Sequence, residues 1–76
     1  MPLRPTKVRE VVKALDKLEF RLARVRGSHL VFKHADGRMT VVPRHGKEEI
    51  GRGLLRKIAE GIRISPDDFA KILDKS

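Results

Sequence analysis

Apolar residues recur along the chain with two periods, and each period marks a kind of element. Val8, Val11, Val12, Leu15 and Leu18 fall on one side of a 3.6-residue repeat, with Arg9, Lys13, Asp16 and Lys17 on the other. That stripe predicts an amphipathic helix over roughly residues 6–18, with Thr6 as its cap after Pro2 and Pro5. A second stripe, Leu54, Leu55, Ile58, Ala59 and Ile62, predicts another helix with Gly61 near its end. Ser65-Pro66-Asp67-Asp68 reads as the start of a short third helix: serine as cap, proline at the first position, acids against the positive helix end. Phe69, Ile72 and Leu73 give that helix a face to bury.

Between the first two helices the period shortens to two. In "HLVFK" Leu30 and Phe32 alternate with His29, Val31 and Lys33, and "FRLARVR" and "RMTVVP" flank it as further strands. Gly27-Ser28 supplies one turn and Ala35-Asp36-Gly37 the other, since a glycine tolerates positive φ. Pro43 ends the third strand because it cannot donate to a ladder. The order is α-β-β-β-α plus a short C-terminal helix. This is an α+β fold with a three-stranded antiparallel sheet, and at this length helices can cover one face only.

Leu30 and Phe32 then look toward Val11, Leu15, Leu55 and Ile58, and His29, Val31 and Lys33 toward the open face. The first strand resists this scheme. If Phe20 and Leu22 point inward, strict alternation sends Arg24 inward and Val25 outward, unless a bulge or an edge position relieves it.

Composition narrows the setting. Residues 1–76 suffice for one domain with a modest core. With no cysteine, neither a disulfide nor a cysteine metal site can staple it. No apolar run reaches membrane length and the start lacks a secretory core, so a cytoplasmic protein is expected. The net charge is +8, and residues 20–47 hold seven Lys or Arg against the single acid Asp36. Such an excess suits a polyanion, which releases counterions on binding, although a merely soluble basic surface has the same composition.

All three histidines lie in that basic stretch. His34 reads as an ordinary surface residue, and His45, in the loop after Pro43, as either a cap for the second helix or a functional group. Zinc fits poorly, because the spacing matches no common site. A two-metal nuclease needs several convergent carboxylates; Glu48-Glu49 and Asp67-Asp68 are adjacent pairs expected at helix starts instead. No metal or cofactor is therefore expected. RNA can be cut without one: its 2′-hydroxyl attacks the adjacent phosphorus once a base removes the proton, and an acid protonates the leaving 5′-oxygen. Imidazole can play either part near neutral pH, while cations hold the phosphate. His29 is the candidate catalytic residue, with Arg24, Arg26 and Lys33 in reach.

"EFRLARVRGSHLVFKHADGRMTVVPRHGKEEIGRGLLRKI" resembles the HicA-type toxins, the mRNA interferases of toxin–antitoxin systems. The shared features are Phe20 after the helix, Arg24, Gly27-Ser28-His29, the Asp36-Gly37 turn, Pro43-Arg44-His45, the Leu55–Ile58 run and Phe69. Many relatives carry glycine before the phenylalanine; this chain carries Glu19. The resemblance implies a fold like that of double-stranded-RNA-binding domains and an endoribonuclease whose central residue is His29. It implies mRNA as substrate and a HicB-type antitoxin as partner. Arg24, Arg26, Gly27, Ser28, Lys33, Arg44, His45 and Lys47 are the expected RNA-binding residues. A monomer is expected in the absence of the antitoxin. The alternative is a non-catalytic double-stranded-RNA-binding module of the same fold. Base stacking has little to work with, because Phe20, Phe32 and Phe69 all look like core. A partly apolar patch of Val31 with Val25 or Val42 could also serve a protein partner.

Overall fold

A computed structural model describes residues 2–44 and 49–75. In chain order the elements are β1 (Thr6–Lys7), α1 (Val8–Lys17), β2 (Arg21–Arg26), β3 (His29–Lys33), β4 (Met39–Pro43), β5 (Glu49–Ile50), α2 (Arg52–Ile62) and α3 (Pro66–Lys75). Strands β2, β3 and β4 form an antiparallel meander with β3 in the centre. The expected α-β-β-β-α order holds, with α3 as the additional C-terminal helix.

The helices meet the sheet on one face. Leu30, Phe32 and Val42 pack there with Val11 and Leu15 of α1, Leu55, Ile58 and Ile62 of α2, and Phe69 of α3. All three phenylalanines are buried in this core, as expected. Ser65 caps α3 as anticipated: its Oγ accepts the N–H of Asp68 at 3.1 Å, and Asp67 and Asp68 occupy the first turn.

Two expectations at helix starts are corrected. Thr6 does not cap α1. It pairs with Ile50 in a two-stranded sheet, and its hydroxyl donates to the Arg4 carbonyl at 2.8 Å. Glu49 is not in a helical first turn either; it pairs with Lys7 in that sheet, and α2 begins after Gly51 with no acid in its first turn. Both corrections have one cause. The β1–β5 pairing spans more than forty residues of chain, so no local cap pattern could reveal it. Glu48, like His45 and Lys47, lies outside the described residues.

The first strand resolves its conflict with both devices. Arg21 pairs with Lys33 and Leu22 with Phe32, then the register shifts so that Arg24 faces Val31, Val25 faces Leu30 and Arg26 faces His29. Ala23 is the extra residue of a β-bulge. Directly opposed residues share a face, so the bulge turns Arg24 and Arg26 to the open side and Val25 to the helical side. There, at the sheet edge, the helices do not reach: Leu22 and Val25 are about half exposed, and every residue of β2 is exposed.

α1 ends in a left-handed residue. Glu19 has φ of 69°, its N–H donates to the Asp16 carbonyl at 2.9 Å, and the Phe20 N–H donates to the Leu15 carbonyl at 2.9 Å. This is a Schellman cap. The same pattern closes α2 at Arg63, with φ of 58°.

Candidate functional site

The open face is ordered by strand. β2 contributes Arg21, Arg24 and Arg26; β3 contributes His29, Val31 and Lys33; β4 contributes Met39, Val41 and Pro43, each row set by direct pairing. The surface therefore grades from cationic to apolar across the sheet, with the histidine strand between. Val31 is buried yet outside the core cluster, shielded by its cross-strand neighbours Arg24 and Val41.

His29 is exposed at the start of β3. The chain reverses before it through Gly27-Ser28, and Gly27 has φ of 59°, which a side chain would make costly. The two-residue turn sets Arg26 directly across from His29. On the other side the Arg44 N–H donates to the Ser28 carbonyl, extending the β3–β4 ladder one step past His29 and Pro43. Arg26, Ser28, His29 and Arg44 thus meet at one end of the sheet. Alternation from that bond turns the backbone groups of Met39, Val41 and Pro43 away from β3, so the missing N–H of Pro43 costs the ladder nothing.

The cations differ in what holds them. Arg21 reaches back to Asp16, Nη1 to Oδ1 at 3.2 Å. Arg24, Arg26 and Lys33 have no carboxylate partner among the described residues and project from the open side. His45 and Lys47 lie outside the described residues. Among the described residues no three His, Asp or Glu side chains converge on a point that could hold a metal ion, and no helix is long and apolar enough to cross a membrane.

His34 is more than the surface residue that its composition suggests. Its side chain is largely buried, and its ring meets that of Phe20 edge-on at 5.1 Å. Its Nδ1 accepts the Asp36 N–H at 3.0 Å. Arg38 completes this corner: Nε donates to Asp36 Oδ2 at 2.8 Å, Nη1 to the Ile62 carbonyl at 2.6 Å, and the guanidinium lies 5.0 Å from the Phe20 ring centre. The Arg38 N–H, donating to Oδ1, and then its guanidinium hold the Asp36 carboxyl below the ordinary aspartate range. Arg38 therefore fastens the hairpin to the end of α2 and His34 packs it against Phe20, at the end of the sheet away from His29.

The expected apolar patch is redrawn. Val42 is in the core and Val25 is on the helical side, because the bulge and the alternation of β4 place them there. Val41 and Met39 join Val31 instead, with Leu54 of α2 alongside. Thr40 and Val42 facing inward were the available signal for Met39 and Val41; Leu54 and Lys57 left none, since both belong to a helix flank.

The family model described as "HicA toxin of bacterial toxin-antitoxin" matches residues 8–64, well over half of the chain. No curated protein matches it significantly. The matched span runs from the start of α1 to the end of α2 and includes the whole meander, so fold and family agree: the chain belongs to the HicA toxin family.

Proposed function

We propose that the protein is a metal-independent endoribonuclease toxin that cleaves mRNA through His29 and is neutralised by a HicB-type antitoxin covering the same face. One observation carries the reading. His29 is exposed on the sheet face opposite the helices, directly across from Arg26 and beside the cationic strand β2. Membership of the HicA toxin family supports it.

The chemistry follows from what the substrate brings. An imidazole nitrogen accepts the proton of the ribose 2′-hydroxyl, and the 2′-oxygen forms a bond to the adjacent phosphorus. The bond from phosphorus to the 5′-oxygen breaks, and a proton returns to that oxygen. The products are a 2′,3′-cyclic phosphate and a free 5′-hydroxyl. No metal-bound water is needed, because the nucleophile is part of the RNA. Imidazole titrates ordinarily near pH ~6.5, which suits both proton transfers. Arg24, Arg26, Lys33 and Arg44 hold the phosphates, and Arg26, beside the imidazole, offsets the charge that builds up on the displaced oxygens. Ser28 and Gly27 let the RNA backbone approach the turn, and His45 and Lys47, which lie outside the described residues, are further candidate RNA contacts. The toxin is a monomer until its antitoxin binds.

The test is RNA cleavage in excess chelator by wild type and His29→Ala. Loss of about a hundredfold or more in the variant, with folding and RNA binding kept, is the expected result. Equal binding with no cutting by either protein would leave the non-catalytic RNA-binding module. Undiminished cutting by His29→Ala would remove His29 from the chemistry.

A further inference from the structure

His29 lines two depressions. One, of about 560 Å³, lies on the open sheet face among Arg26, Val31 and Val41. The other, of about 430 Å³, runs from His29 over the β4 edge to α2, with Met39, Val41, Pro43 and Leu54 as its floor and Lys57 beyond. His29 and Val41 belong to both, so the two form one trough.

The far half is apolar for reasons of register. Met39 and Val41 alternate with the buried Thr40 and Val42, and are 49% and 40% exposed. Leu54, Lys57 and Gly61 recur at helical spacing on the flank of α2 that abuts β4, and Leu54 is 43% exposed. The Thr40 hydroxyl is already engaged, donating to the Ile58 carbonyl at 3.3 Å. The half therefore presents a hydrocarbon floor with the cation Lys57 at its far end, and no carboxylate among its described lining residues.

We infer that this floor binds one nucleobase of a single-stranded RNA, from the nucleotide adjoining the phosphate at His29, and that Lys57 holds the following phosphate. The inference rests on the reading that RNA occupies the face around His29. Charge favours RNA here: the trough runs from Arg26 past His29 to Lys57 without an acid among its described lining residues. Only an unpaired base can turn its face onto such a floor, because a duplex keeps its bases stacked inside. A floor of aliphatic carbon selects little by hydrogen bonding, so the subsite accepts several bases. A partner strand added to β4 fits less well. Pro43 offers no N–H, and at the other end α2 abuts the Met39 carbonyl, 2.7 Å from where a Gly61 Cβ would stand.

The test measures binding of full-length protein to a short single-stranded RNA made uncleavable by 2′-deoxy substitution at the cut. Abasic nucleotides are placed at each position in turn, with wild type, Leu54→Ala and Lys57→Ala. Both substituted residues are exposed helix positions, so folding is kept. For wild type, one abasic position next to the cut weakens binding about three- to tenfold, in keeping with lost apolar contact. That same position has a smaller effect in Leu54→Ala, where Met39, Val41 and Pro43 alone remain of the floor. Lys57→Ala lowers the slope of log affinity against log salt by about 0.7. The groove is overturned if the abasic effect is as large in Leu54→Ala as in wild type, or if duplex RNA binds as well as single-stranded RNA. It is also overturned if Leu54→Ala disturbs only binding to a partner protein. Wild type that shows the coupling but cuts no RNA keeps the groove and removes the nuclease reading; wild type that cuts without the coupling does the reverse.

Discussion

Arg24 stands directly across from Val31, on the face that also carries His29, because Ala23 is an extra residue between two stretches of regular pairing. Without the shift, the inward position of Leu22 would drag Arg24 under the sheet. The pairs on either side of Ala23, Leu22 with Phe32 and Arg24 with Val31, are consecutive along β3. Deleting Ala23 should therefore close the bulge and leave every other pair in place, whereas deleting Val25 should close it only by moving Arg24 opposite Leu30, on the helical side, and Ala23 opposite Val31. The expected outcome is an Ala23 deletion with the same cross-strand contacts by NMR, and a Val25 deletion in which Ala23 replaces Arg24 beside Val31.

Gly61 is pinned against β4. A Cβ there would lie 2.7 Å from the Met39 carbonyl oxygen and 2.9 Å from the Thr40 Cβ. The carbonyl belongs to a strand and cannot swing aside as a flexible side chain could. In an open helix Gly→Ala would stabilise by up to about 1 kcal/mol; here overpacking should dominate and Gly61→Ala should cost about 1–3 kcal/mol net. Chemical denaturation of the variant checks the sign.

What can be read from the chain alone depends on how local each cause is. Leu30 and Phe32 inward, with His29 and Lys33 outward, could be read directly, because β3 is central and one of its faces is buried. β2 could not be read, since its alternation and its charges pointed opposite ways and only the partner strand shows where the register breaks. Thr6 was misplaced for the same reason: its partner Ile50 is far along the chain. His34 looked exposed because nothing nearby in sequence reveals that Phe20 closes over it. The apolar half of the trough needed α2 to be docked before Leu54 and Met39 could be seen as neighbours.

Glu19 occupies a backbone conformation that glycine adopts freely. Its φ of 69° closes the cap of α1, and the side chain is exposed. The strain on a residue with a Cβ is about 1–2 kcal/mol, partly offset by the greater freedom of glycine when unfolded. Glu19→Gly should raise stability by about 0.5–1 kcal/mol, and Arg63→Gly, at the matching place in α2, should do the same. A fall in melting temperature for both would contradict the cap assignment.

Asp36 gives the hairpin corner a dependence on acid. Its folded pKa is lowered, first by the Arg38 N–H and then by the Arg38 guanidinium. A depressed carboxyl contributes stability above its unfolded pKa and loses it as pH falls through the folded one. Asp36→Asn should therefore be less stable than wild type near pH ~7, and the gap should narrow as pH falls toward about 2. Melting temperatures of both proteins across that range decide it; a constant gap would mean that the carboxylate charge contributes nothing at this corner.

Arg24 and Arg26 share the open face with His29 but differ in distance from it, which separates holding the phosphate from acting on it. Arg26 is the direct cross-strand neighbour of His29, and Arg24 lies two pairs farther along. If both bind phosphate, each alanine variant should flatten the plot of log affinity against log salt by about 0.7 for single-stranded RNA. Only Arg26→Ala should also lower the maximal cleavage rate, because a cation beside the imidazole stabilises charge that exists only during displacement. Arg24→Ala should raise the concentration of RNA needed for half-maximal cutting and leave the maximal rate unchanged. Arg21, already held by Asp16, supplies the control: its alanine variant should change the salt slope least of the three. An equal slope change in all three would mean that RNA is attracted by net charge alone, without a track along β2.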